Sequence, residues 1–147
     1  MVEVLLVVTM LAALFALTAP RFTVVRNQSA ARSARLQLGS AFAAARAAAV
    51  QKGKPATVTI DGTDVIVTVL SGLAGTEVTV LGPMRFDGTE HALLSSVSGV
   101  TEFVYDPRGM VTPALDGIAK FALTAGEVSD TLCISASGLV LPKDCRQ

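Results

Sequence analysis

The chain has 147 residues with 12 basic and 12 acidic side chains, so its formal net charge is zero. That length suits one domain with a real core, and two cysteines with one histidine argue against a zinc centre. Apolar residues make up 51% of the chain and mean hydropathy is +0.57, high for a small soluble protein, with the surplus gathered at the N-terminus. The charges are also segregated. After Glu3 the next acid is Asp61, and between them lie Arg21, Arg26, Arg32, Arg35, Arg46, Lys52 and Lys54.

The first element is the run from Val4 to Ala19, interrupted only by Thr9 and Thr18. Four readings compete for it. A buried core helix needs an amphipathic pattern, and this run is apolar on every side. A cleaved signal peptide needs positive charge ahead of it, and the flank Met1-Val2-Glu3 is acidic. A plain membrane anchor needs about 20 apolar residues, slightly more than are present. The fourth reading is a membrane helix that later packs against copies of itself. Glu3 bears on the last two, because a carboxylate in an apolar helix is costly in lipid without a partner. Its own helix N-terminus offers some help, and the free α-amine of a neighbouring copy offers more. A glutamate that merely reaches the headgroups remains open on physics alone.

Glu3 within Val2-Glu3-Val4-Leu5-Leu6-Val7-Val8, followed by Pro20, resembles the mature N-terminus of type IV pilins and type II secretion pseudopilins. The segments Ala31-Arg32-Ser33-Ala34-Arg35-Leu36 and Ala44-Ala45-Arg46-Ala47-Ala48-Ala49-Val50 are similar to the branch with a GspH/FimT-type head. Tyr105-Asp106-Pro107-Arg108-Gly109 and Ser135-Ala136-Ser137-Gly138 resemble that branch's turn motifs. The family's precursor carries a basic leader ending in glycine and then a phenylalanine, which are not seen ahead of Met1; the identity of the terminal amine and its methylation therefore stay open.

The resemblance implies a subunit that polymerises through its N-terminal helix into an extracellular filament. Met1, Glu3, Leu5, Leu6, Leu11, Leu14, Phe15 and Pro20 would carry assembly. Its partners would be copies of itself, the inner membrane before assembly, a prepilin peptidase, and the pilus or type II secretion machinery. The alternative is a minor pilin or pseudopilin that primes a secretion pseudopilus or captures DNA, for which Lys143 and Arg146 are the thin basic candidates. A membrane-anchored domain that never assembles is a third reading.

The residues place segment 1–25 as the hydrophobic transmembrane or filament-core helix, 26–54 as its amphipathic continuation, and 55–147 as a β-rich head. Alanine abundance favours helix from Thr23 to Lys52. Leu36, Phe42, Ala45 and Ala49 are expected to cover a sheet, with Arg32, Arg35 and Arg46 projecting elsewhere. Gly53 and Pro55 are expected to end the helix. Pro20 lacks an N–H and clashes with the carbonyl of Ala16, which predicts a break between Ala16 and Arg21. A basic stalk and an acidic head would attract one another between subunits, an effect that salt screens; the same arginines would also keep a helix face wet.

Beyond Pro55 the pattern turns to β. Thr57–Ile60 and Val65–Leu70 flank the turn Asp61-Gly62-Thr63-Asp64. Glu77–Leu81 follows and is expected to end at Gly82-Pro83. Val100–Tyr105, Ile118–Thr124, Thr131–Ser135 and Leu139–Leu141 complete a mostly antiparallel sheet, or two sheets, packed on the helix: an α+β fold. Cys133 and Cys145 suit a disulfide that staples the chain end, against the alternative of two buried thiols.

No catalytic constellation, cofactor motif or metal site is visible: there is no GxSxG, Walker A loop or HExxH. His91 beside Glu90 has no nucleophile near it in sequence. Asp61 and Asp64 supply too few oxygens for calcium. The sequon at Asn27 falls in helix.

Overall fold

The computed structural model describes residues 2–71, 75–88, 92–112, 115, 117–141 and 145, with side chains at all of these except 5 and 15–21. One long helix, α1 (Val2–Lys52), precedes eight strands: β1 (Ala56–Asp61), β2 (Asp64–Ser71), β3 (Thr76–Arg85), β4 (Leu93–Ser96), β5 (Glu102–Tyr105), β6 (Ala119–Ala125), β7 (Val128–Ile134) and β8 (Val140–Leu141). They form two four-stranded sheets, ordered β3-β2-β1-β5 and β4-β6-β7-β8, with every pairing antiparallel. The chain is therefore α+β, with two sheets packed on one helix.

The 51 residues of α1 span about 76 Å at 1.5 Å per residue. A single small head cannot cover that length, and among the described side chains the first buried one on α1 is Ala31. From there Ala34, Leu38, Ala41, Phe42, Ala45, Ala48 and Ala49 recur at helical spacing and are all buried. The expected stripe was right at Phe42, Ala45 and Ala49 but wrong at Leu36, which is 64% exposed. Leu38 takes its place, because Leu38 lies one turn before Phe42 and Leu36 lies on another side of the helix. Gly53 ends α1 as expected. Its φ of 60° lets Lys54 N–H reach back to the Ala49 carbonyl at 3.3 Å.

The kink or unwinding expected around Pro20 does not end the element. Helix runs through that position from Val2 to Lys52. A proline removes one hydrogen bond and crowds one carbonyl, and in a helix this long the turns on either side remain hydrogen-bonded, so a local defect need not end it.

The core lies between α1 and both sheets. Phe42 meets Phe103 edge-on with centroids 5.1 Å apart, and Phe121 packs 5.9 Å from Phe42 and 5.7 Å from Phe103. One ring thus comes from the helix and one from each sheet, which locks the three layers together. Val58, Val65, Val67, Leu123, Leu132 and Ile134 fill the rest. Alanine dominates the buried helix face because a small side chain lets a sheet approach closely.

β3 and β4 depart most from the sequence reading. β3 continues through Gly82-Pro83 to Arg85. Proline is tolerated there because β3 is an edge strand paired only with β2, and the ladder shifts register between Val65 and Thr68. Gly82 adopts φ 105°, and a Cβ on it would lie 2.6 Å from the Val65 carbonyl oxygen. β4 was not anticipated: Leu93-Leu94-Ser95-Ser96 carries no β-branched residue to mark it.

Candidate assembly surface

The described apolar side chains at the N-terminal end of α1 are exposed. Val2, Val4, Leu6, Val7, Val8, Met10, Leu11 and Leu14 are between 48% and 76% exposed. Helix geometry spreads these positions over every side of the cylinder, so no single face of the chain's own head could have covered them. Contiguous apolar surface on this scale marks an interaction site. Of the residues expected to carry assembly, Glu3 stands exposed in the first turn of α1, where the helix dipole favours a carboxylate. Leu6, Leu11 and Leu14 are exposed with it. Leu5, Phe15 and Pro20 lie in the helix outside the described side chains, and Met1 lies outside the described residues.

Among the described residues no helix is long and apolar enough to cross a membrane. The transmembrane stage expected from the sequence is not supported by the described helix.

A second apolar feature lies on the head, where α1 runs beside β8. A cavity of about 390 Å³ is bordered by Leu36, Gly39, Ala43, Leu132 and Val140, with Arg35 at one end. It shares Ala43 and Val140 with a second cavity of about 630 Å³ that reaches Arg46, Ala47, Val50 and Leu139. The two form one trough along the outward face of the helix. Arg35 is half-buried, and its Nε has no hydrogen-bond partner although water does not reach it. A buried unsatisfied donor on a charged group is costly. Arg35 and Arg32 also border a third cavity, of about 610 Å³, beside Ser129 and Asp130. Sequence reading placed Arg35 simply away from the sheet; its half-buried setting depends on how the β6–β7 hairpin meets the helix.

The two turn motifs of the head converge. Asp106 caps its own turn, its Oδ1 accepting from Arg108 N–H and Met110 N–H at 2.9 Å each. Ser135 Oγ accepts from Leu139 N–H at 3.0 Å, and Gly138 N–H donates to the Ser135 carbonyl at 2.8 Å. Tyr105 joins them by donating its hydroxyl to the Gly138 carbonyl at 2.8 Å. Gly138 is required at φ 82°, since a Cβ would sit 2.7 Å from the Tyr105 ring. Burial pushes the Tyr105 hydroxyl up to about 12, with Arg46 pulling weakly the other way. The residues carry a structural corner here that ties the end of β5 to the turn between β7 and β8.

Cys133 and Cys145 form the expected disulfide, with Cα atoms 5.5 Å apart. It ties β7 to the segment after the two-residue β8, which borders the trough. Asp61 and Asp64 face each other across the β1–β2 turn, and Asp64 pairs with Arg85 at 3.4 Å. Among the described residues no group of three potential metal ligands occurs. His91, Glu90, Lys143 and Arg146 lie outside the described residues.

No protein-family model matches the sequence, and no curated protein matches it significantly. Two crystal structures are similar in fold, both of the type IV minor pilin FimU of Pseudomonas aeruginosa strain PAO1. One superposes with a TM-score of 0.56 at 19% identity, covering 81% of this chain and 97% of FimU. The other gives 0.52 at 19% identity, covering 78% and 99%. At this identity the likeness is one of fold: this chain shares the fold of FimU.

Proposed function

We propose that the chain is a type IV pilin-like subunit that polymerises through α1 into an extracellular filament. The observation that carries this reading is the N-terminal part of α1, whose described apolar side chains are exposed on every side of the helix. Burying one valine, leucine or methionine there contributes about 1.5–3 kcal/mol. A contact between different surfaces of identical subunits does not close, so it repeats into a fibre. The similarity to FimU supports the same reading. Glu3, desolvated in such a fibre, needs a cationic partner such as the terminal amine of a neighbouring subunit.

The test is electron microscopy of material sheared from cells, with mass spectrometry of the fibres. Thin helical fibres dominated by this chain are expected, and Glu3→Ala should lower their yield while the head stays folded. Full fibre yield from Glu3→Ala would remove the charge-pairing role, and the lack of fibres from the native chain would remove the filament reading. A second reading is favoured by the identity of the similar structures, both of a minor pilin: this chain would then be a trace component that primes a pseudopilus or captures DNA. Retention of DNA at low salt and its loss at high salt would support capture.

A further inference from the structure

We propose that the open half of β3, Thr76–Val80, pairs edge to edge with the same segment of a second copy, antiparallel about a two-fold axis at Val78, and that this contact ties fibres side by side. The bundling rests on the filament reading, but the contact uses no part of α1.

β3 is the last strand of its sheet, with β2 on one side and no strand on the other among the described residues. Alternate N–H and C=O groups along such an edge face outward and can pair with another strand. The two halves of β3 are guarded unequally. Beyond Thr79 the ladder with β2 shifts register, Pro83 lacks a donor, and Arg85 holds a charge paired with Asp64. From Thr76 to Thr79 the pairing is regular, Ser71↔Thr76 to Thr68↔Thr79. All of Thr76–Val80 except Glu77 is β-branched, and Glu77 is its one charge. Val78 lies directly opposite Val69, so both point to the core side of the sheet. Yet Val69 is 1% exposed and Val78 is 41% exposed. The apolar side of the sheet therefore runs past its own cover to the edge.

The segment complements itself in one arrangement. Parallel pairing in register sets Glu77 against Glu77, and like charges directly opposite repel. So does an antiparallel pair centred on Glu77. A centre at Thr79 draws in Gly82 from the irregular half, and one at Val80 sets Glu77 against Pro83. Centring on Val78 sets Val78 against Val78, Thr76 against Val80, and Glu77 against Thr79, whose hydroxyl can donate to the carboxylate. Each Val78 then gains apolar cover on its open side. A segment this short buries well under the about 1,000 Å² of a stable pair, so isolated heads stay apart. A fibre presents the edge once per subunit, and many weak contacts in parallel hold where one does not. A two-fold axis reverses direction, so the contact joins two fibres and not neighbours within one polar fibre. The main chain makes the contact, so it tolerates most changes of side chain; a charge on the axis is the exception.

The experiment uses the full chain assembled into fibres. Native fibres should lie in bundles by electron microscopy. Val78→Lys sets two ammonium groups face to face on the axis; it should leave fibre yield unchanged and turn bundles into single fibres. Val97→Lys, exposed elsewhere on the head, should leave the bundles in place. In bundled Val78→Cys fibres, a thiol crosslinker spanning about 5 Å, the separation of directly opposite residues, should join residue 78 of one copy to residue 78 of another. Val80→Cys alone should not link, and Thr76→Cys with Val80→Cys should. Native fibres that lie singly, or bundles that survive Val78→Lys, overturn the proposal and leave the filament reading intact. Links between two copies of Thr79→Cys, with none at residue 78, overturn the Val78 axis. If the native chain forms no fibres, the filament reading falls, and the edge is then read on the full chain concentrated in detergent. Residue-78 links several-fold above those of Val97→Cys uphold the pairing there, and equal yields overturn it.

Discussion

The two halves of α1 share a helix and differ in what they ask of their surroundings. From Ala31 to Ala49 the inward residues are mostly alanine, and they are buried by the chain's own sheets. From Val2 to Leu14 they are mostly valine and leucine, and those with described side chains are exposed. Alanine favours helix more than valine does, but propensity does not account for the difference in burial. Residue size does: small side chains where a partner must come close, large ones where a partner has yet to arrive. The first half stabilises the fold, and the second stores burial for assembly. Opposite responses to substitution should follow.

The largest effect is expected where the head half of α1 anchors the core. Phe42→Ala removes the ring that touches both Phe103 and Phe121, and should cost about 3–5 kcal/mol in thermal or denaturant unfolding of the full chain in detergent. A cost below about 1 kcal/mol would mean that the helix is not what joins the two sheets. Next comes Ala45→Leu. Ala45 is completely buried, so three added carbons must push the sheets away, at about 1–3 kcal/mol. If the same substitution stabilises the head, the closeness of helix and sheet has been misjudged.

Tyr105→Phe sharpens the contrast at its edge. Losing the hydroxyl bond to Gly138 should cost about 1 kcal/mol. It should also change the alkaline limit. The folded hydroxyl titrates at about 12, above its ordinary value of 10.0, so the unfolded chain releases this proton first. The Tyr105 contribution is then fully present below about pH 10 and is lost as pH rises through the folded value. Across that window the native chain should lose stability more steeply than Tyr105→Phe; equal slopes would show that the hydroxyl is not held in its neutral form. The smallest effect on folding belongs to the bare half. Leu11→Ala should shift head stability by less than about 0.5 kcal/mol while reducing fibre yield. A large loss of head stability with fibres untouched would invert the comparison.

Much of this was legible in the residues. Alanine density and Gly53 gave the helix and its end, and the alternation in Thr57–Ile60 and Val65–Leu70 gave the first hairpin. The two cysteines gave the staple. What escaped depended on contacts across the fold. Leu36 and Leu38 are both leucines on one helix, and only the position of the sheets decides which is buried. β4 has no β-branched residue and exists because β6 offers it a ladder. Gly82-Pro83 reads as a strand breaker, yet an edge has no second ladder to break. Glu3, Leu6, Leu11 and Leu14 were expected from resemblance and apolarity together to carry assembly, and the structure leaves them exposed. The trough was not, because it needs β8 laid beside α1, and β8 is two residues long.

β3 carries a last consequence. Its ten residues are almost all exposed on both sides of the strand, Val78 and Val80 among them. Its backbone is held by β2 and its side chains hold little else. Selection for a stable head therefore constrains the main chain of this strand far more than the letters written on it. Across natural variants of this protein the outermost strand of the first sheet should be where sequence drifts fastest without loss of shape, and the face the molecule shows to its surroundings can be rewritten while the helix and its alanines stay as they are.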